Sequence, residues 1–80
     1  FDGIVSGVTN FGLFIELTGV YVEGLLAIKD MKDDFYNFNK LHSQLEGKRK
    51  KKVFKFGDSV KIQIASVNLD ERQMNFILAD

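Results

Sequence analysis

Residues 3–28 read GIVSGVTNFGLFIELTGVYVEGLLAI, and this stretch decides the fold. Residues 3–8 form a strand-like run, which Thr9, Asn10 and Phe11 connect to Gly12. Residues 12–17 alternate: Leu13, Ile15 and Leu17 share one face, and Phe14 and Glu16 share the other. Thr18 and Gly19 predict a tight turn, followed by a third strand over residues 20–28. Gly24 inside that strand predicts a bulge or sharp bend.

Downstream, residues 29–34 are polar and predict a loop or a single helical turn. Residues 35–47, FYNFNKLHSQLEG, carry two patterns. Phe38, Leu41 and Leu45 suit a short amphipathic helix; Tyr36 and Phe38 alternate as hairpin arms would, around a mobile lysine-rich tip. Residues 53–56 are VFKF, followed by a turn at Gly57 and Asp58. Residues 59–67, SVKIQIASV, form the clearest strand, with Val60, Ile62 and Ile64 inward. Residues 68–72 make a polar turn, and residues 73–78 close the sheet with Met74, Phe76 and Leu78 inward. Eight phenylalanines and no proline fit a β-rich chain. The pattern predicts an all-β domain over residues 1–80. Five main strands, mostly antiparallel, with a long insert between the third and fourth, suit a Greek-key barrel. Periodicity alone does not say which barrel.

Eighty residues make one domain with a small core, because a chain this short buries only roughly 60% of its unfolded surface. There is no cysteine, which excludes a disulfide scaffold, a thiolate zinc site and a cysteine nucleophile. His42 is the only histidine and cannot build a multi-histidine metal site. No apolar run approaches the roughly 20 residues of a membrane span, and no secretory leader is read ahead of the first strand. A monomer in a reducing, cytoplasmic compartment is expected. The opening at Phe1 without Met suggests a piece of a longer protein.

Net charge is zero, yet unevenly distributed. Six of the eleven cations fall in residues 48–55, KRKKKVFK, and none of the eleven acids do. The rest of the chain therefore carries five positive and eleven negative charges, a balance of −6. Lys48, Arg49, Lys50, Lys51 and Lys52 read either as a solvated tip or as a flexible arm that attracts phosphate without sequence preference. Phe14 is a large aromatic on a polar face. Either the long connection covers it, or it is a scattered surface apolar, or it is a platform on which bases stack with Phe11 as neighbour. Aromatic platform and cationic arm together are what single-strand binders combine. Arg72 reads as an exposed turn arginine paired with Asp70 or Glu71, or as a phosphate contact. Lys61 reads as solvated. Asp30, Asp33 and Asp34 read as loop acids, not a metal cluster. No elbow serine, phosphate loop or carboxylate pocket is found, so no catalytic residue is expected in this chain.

The opening stretch also resembles a known family. Gly3, Val5 and Val8, then Phe11, Gly12 and Phe14, then Glu23, Gly24, Leu25 and Ile28 follow the pattern of S-one RNA-binding domains. Residues 57–62 and 67–78 resemble the second half of that module. Residues 33–58, followed by VNLDER at 67–72, are similar to the C-terminal S-one domain of the bacterial ribonuclease R family, exoribonucleases of the ribonuclease II type. The resemblance implies a five-stranded antiparallel oligonucleotide-binding barrel. It implies sequence-tolerant binding of single-stranded RNA by an accessory domain of a 3′-to-5′ exoribonuclease. That parent would be magnesium-dependent, with its catalytic carboxylates upstream of this chain. The family's stacking aromatics fall on Phe11 and Phe14. Three other contact positions differ: Ala27 stands where many members have histidine, Asn68 where an aspartate is common, and Gln73 where a basic residue is usual, with Arg72 adjacent. This shifts expected weight onto the aromatic pair, Arg72 and residues 48–52. The alternative is a protein-interaction or autoinhibitory barrel that packs on neighbouring domains through its acidic remainder and Phe14.

Overall fold

The computed structural model describes residues 1–20, 22–70 and 73–79. Eight strands follow in order: β1 (Asp2–Thr9), β2 (Gly12–Leu17), β3 (Glu23–Ala27), β4 (Tyr36–Asn39), β5 (Gln44–Gly47), β6 (Val53–Lys55), β7 (Ser59–Asn68) and β8 (Gln73–Leu78). A 3-10 turn, Ile28–Asp30, follows β3. Five strands close a barrel in the order β1-β2-β3-β8-β7, and β4-β5-β6 form a separate antiparallel sheet. This is the five-stranded oligonucleotide-binding barrel with a long insert between its third and fourth strands. The barrel ladders are antiparallel except one: β3 and β8 run parallel, bridged at Leu25 and Asn75. That parallel contact closes the sheet and removes its free edges.

Alternation in β2 works as its sequence dictates: Leu13, Ile15 and Leu17 are buried, Glu16 is exposed and Phe14 is half-buried. They join Val5, Leu26, Val60, Ile62 and Phe76 in one cluster with Met31, Tyr36, Leu45 and Phe54 of the insert. The insert therefore plugs onto the barrel and shares its core. Residues 35–47 are hairpin arms, not a helix, with the turn at residues 40–43. Leu41 of the helical pattern points to solvent, whereas Tyr36 and Leu45 are buried and the Tyr36 ring packs 5.6 Å from that of Phe54. The lysine run is not the tip of this hairpin but the link from β5 to β6.

Two details depart from simple alternation. Gly24 makes no bulge, since β2 and β3 stay in register through Ile15 and Gly24. Its missing side chain instead admits Phe76: a Cβ there would lie 2.5 Å from the Phe76 ring and 2.7 Å from the Met74 carbonyl oxygen. Bulges occur between Val5 and Gly7 and between Ile64 and Ser66. Ile64 is 38% exposed rather than inward. Strand β7 outruns the barrel there: β1 pairs with residues 59–61 and Phe1 bonds Ile62 in both directions, so among the described residues the strand ladder beyond Ile62 is with β8. Among the described residues no helix is long and apolar enough to cross a membrane.

Gly24→Ala forces a methyl group against backbone that cannot rotate away, and it should destabilise the chain by roughly 1–3 kcal/mol. Urea unfolding of the variant checks this; an unchanged midpoint would refute the close-approach account.

Candidate nucleic-acid interface

Phe11 is placed by a turn that its neighbours tie shut. The Thr9 hydroxyl donates to the Gly12 carbonyl (2.9 Å) and accepts from the amides of Phe11 (3.3 Å) and Gly12 (3.1 Å). Such hydroxyl-to-backbone bonds stabilise a tight connection. Gly12 lets this corner lie against β3, where a Cβ would run into the Leu26 carbonyl oxygen. Phe11 is left 53% exposed.

The bulge at Ser6 brings Gly7 opposite Phe14. With no side chain on Gly7, the Phe14 ring rests on that strand; a Cβ there would be 3.5 Å from it. This explains why Phe14 is half-buried yet open on its outer side. The Phe11 and Phe14 rings meet edge to face, 6.1 Å apart at 88°. This is a favoured aromatic geometry that holds both rings as one platform. The platform lines a groove of about 380 Å³ together with Glu23, Gly24, Leu25, Gln73, Met74 and Asn75. The groove carries neutral amides from Gln73 and Asn75, and Asn75 Nδ2 donates to Ser66 Oγ (3.0 Å). Its one carboxylate, Glu23, accepts a 2.6 Å bond from the Ser6 hydroxyl. Among the described residues no cation lines it.

The basic run lies elsewhere. Residues 48–52 are exposed, and none of them lines the aromatic groove. The expected flexible arm is instead a folded loop. Asp34 Oδ1 accepts from the amides of Phe35 (2.7 Å) and Arg49 (3.0 Å); Oδ2 accepts from Arg49 (3.0 Å) and Lys50 (2.8 Å). The Lys48 amide donates to the Phe35 carbonyl, and the Gly47 amide donates to the Lys52 carbonyl, both at 2.7 Å. Lys51 sits at a φ of 61°, in the left-handed region, where the loop doubles back. Lys52 Nζ lies 3.5 Å from Asp33, which also accepts from the Tyr36 hydroxyl at 3.0 Å. Local charge repulsion predicts a loose tip, and the backbone bonds to Asp34 overrule it. Burial and the Asp33 carboxylate beside it push the Tyr36 hydroxyl well above its ordinary value.

Arg72, the remaining site residue expected from sequence, lies outside the described residues. Among the described residues no group of three or more His, Asp or Glu is placed to hold a metal ion. Asp33 and Asp34 are already committed to the loop, so this acidic segment does not fit magnesium. Sequence reasoning missed Leu25, which the β2–β3 ladder sets opposite Phe14, Asn75, which the parallel bridge brings to the groove, and Phe35. A phenylalanine beside two aspartates gives only the signal of an apolar residue in a polar loop.

Comparison with known proteins agrees with this geometry. The family model described as S1 RNA binding domain matches residues 1–78. The chain belongs to the S-one RNA-binding domain family. It is 35% identical over 79 residues to ribonuclease R of Vibrio cholerae, covering 99% of this chain and 10% of that protein. It is 40% identical over 80 residues to ribonuclease R of Aquifex aeolicus, covering 100% of this chain and 11% of that protein. The S-one domain thus spans about a tenth of the length of these relatives. Among solved structures, Mycoplasma genitalium RNase R in complex with ribose-methylated single-stranded RNA superposes with a TM-score of 0.89 at 29% identity, over 99% of this chain and 12% of that one.

The Asp34 clamp has a pH signature. Desolvation raises its carboxyl, but the amides of Lys50, Arg49 and Phe35 outweigh it and hold the group below its ordinary 3.8. A carboxyl depressed on folding contributes stability above its unfolded value and loses it as pH falls through the folded one. The loop should therefore stay closed at neutral pH and open only under acid, as pH falls below 3.8. Amide hydrogen exchange at Arg49 and Lys50 should speed up in that range. Asp34→Asn should speed it already at neutral pH.

Proposed function

We propose that the chain binds single-stranded RNA with little sequence preference, stacking bases on Phe11 and Phe14. The observation that carries this reading is the edge-to-face pair at the mouth of an open groove whose other described walls are apolar or neutral amide, apart from the Glu23 carboxylate. Aromatic faces accept any base, and amides such as Gln73 and Asn75 can meet a base edge without selecting one strongly. The Mycoplasma relative held RNA of this class, which supports the choice of ligand. With no cation among its described lining residues, the groove offers phosphates little. Electrostatic attraction falls to Lys48, Arg49, Lys50, Lys51 and Lys52, and to Arg72 if it reaches the strand. Isolated affinity is therefore low.

On the same reading the chain is an accessory domain of a larger 3′-to-5′ exoribonuclease. That parent would be cytoplasmic and magnesium-dependent, with catalytic residues beyond this chain. The 33–40% identity to ribonuclease R across nearly the whole domain supports it, and the lack of cysteine suits a reducing compartment. A monomeric domain resting on its neighbours also agrees with Phe1 and Phe56, both exposed and outside the groove.

Phe14→Ala should weaken single-stranded RNA binding roughly 5- to 150-fold, the equivalent of about 1–3 kcal/mol per stacked base. Its fold should survive, since the ring is only half-buried. If about three phosphates are neutralised, log affinity should fall against log salt with a slope near −2. Unaltered RNA affinity with lost docking to a neighbouring domain would favour the protein-interaction reading instead.

A further inference from the structure

A second aromatic surface stands at the edge of the insert. Phe35 is 65% exposed, and the Arg49 guanidinium lies 5.7 Å from its ring centroid. Both residues are fixed by one group: Asp34 accepts from both of their amides, and the Lys48 amide bonds the Phe35 carbonyl. An aromatic ring and an arginine from residues fourteen apart are thus held together by a backbone clamp, not by chance contact of mobile side chains. They line a trough of about 650 Å³ that also holds Ile28, Lys29, Lys32 and Asn37. The acids of this trough are occupied: Asp34 by three amides, and Asp33 by the Tyr36 hydroxyl and Lys52. Lys29 and Lys32 form no ion pair among the described residues. The trough therefore offers anions two unpaired lysines beside the Arg49 guanidinium that lies over the ring, three cations against the two carboxylates of Asp33 and Asp34.

This trough adjoins the barrel groove. Phe11 lines that groove, and its carbonyl accepts a 2.9 Å bond from the amide of Ile28, which lines the trough. We infer that a bound RNA strand leaves the Phe11–Phe14 platform across Ile28 and continues onto the insert. There a base stacks on Phe35, and Arg49, Lys29 and Lys32 take the phosphates. Stacking and cation are separated on the barrel but combined on the insert, which is the arrangement single strands favour. Asp34 is a positioning residue, since it lines the trough but spends its carboxylate on the amides of Phe35, Arg49 and Lys50. The inference rests on the reading that the barrel groove takes RNA.

Oligonucleotide length separates the two. Anisotropy titrations of the 80-residue chain would use oligouridines of about 4 and about 12 nucleotides, within and beyond a short single-strand site. Phe14→Ala should weaken both. Phe35→Ala and Arg49→Gln should weaken only the longer one, by roughly fivefold or more for a lost stacked base. Asp34→Asn should do the same to a lesser degree while amide exchange at Arg49 accelerates. Amide shifts at Phe35 and Asn37 should appear with the longer strand alone. If Phe35→Ala and Arg49→Gln bind both lengths as the parent chain does, the continuation is wrong while the groove reading stands; a Phe35 used only to dock a protein neighbour gives this result. If Phe14→Ala leaves both lengths unaffected, the groove reading fails and takes the continuation with it. Weakening of both lengths by Phe35→Ala would also overturn it, by making the trough the primary site. Phe35 is largely exposed, so its unfolding midpoint should be unmoved.

Discussion

Closure of the barrel depends on one tight place, where β3 passes β8. Strand pairing there comes down to the parallel bridge of Leu25 and Asn75, far less than the continuous ladders elsewhere. Packing supplies the rest: the fully buried Phe76 ring fills the space that a side chain at Gly24 would need. A phenylalanine of this size contributes roughly 1.5–3 kcal/mol by burial, so one ring against one glycine can hold a seam that hydrogen bonds leave sparse. The functional surface follows from the seam. Leu25 stands opposite Phe14 through the β2–β3 ladder, and Asn75 reaches the groove because β3 and β8 are pressed together, so that wall of the groove and the closure share a cause.

The insert obeys a different constraint. Six cations over eight residues favour an open, hydrated chain, and nothing apolar in residues 48–52 offsets their repulsion. Backbone amides are what remain available. Asp34 gathers three of them on one carboxylate, and as an anion it also offsets the positive charge of the loop it closes. Apart from Lys52, which pairs with Asp33, the lysine side chains stay exposed while the main chain is held. Charge thus stays available to a polyanion, and the entropy cost of ordering the backbone is met before any ligand arrives.

Some of this was legible in the sequence and some was not, for physical reasons. The barrel strands and the outward Phe14 were legible because residues 12–17 alternate under the simplest rule of a half-buried sheet. Family likeness placed Phe11 beside it. Helix and hairpin could not be separated over residues 35–47, because Phe38, Leu41 and Leu45 fit a helix while Tyr36 and Phe38 fit hairpin arms until burial decides, and Leu41 proves exposed. Ile64 alternates correctly but lies where β7 has left the barrel, and strand length against a curved partner has no signature in one sequence. The loop clamp was hidden for a related reason. Asp34 reaches amides fifteen and sixteen residues ahead, and amides are the same whatever residue carries them.

Sequence tolerance follows from how attraction is divided over this surface. A groove with aromatic faces and neutral amides can hold bases but gains little from phosphates, whereas an edge of lysines gains from phosphates and reads no base. The three positions that differ from the usual family pattern, Ala27, Asn68 and Gln73, bear on the barrel half of this division. On the proposed reading, an alanine at 27 and a glutamine at 73 in place of an imidazole and a basic side chain would leave the local grip weaker. On the proposed reading, affinity would come from several modest contacts instead of one deep pocket. A strand held that way can exchange one contact at a time, so shifting along the surface never requires all of them to break together.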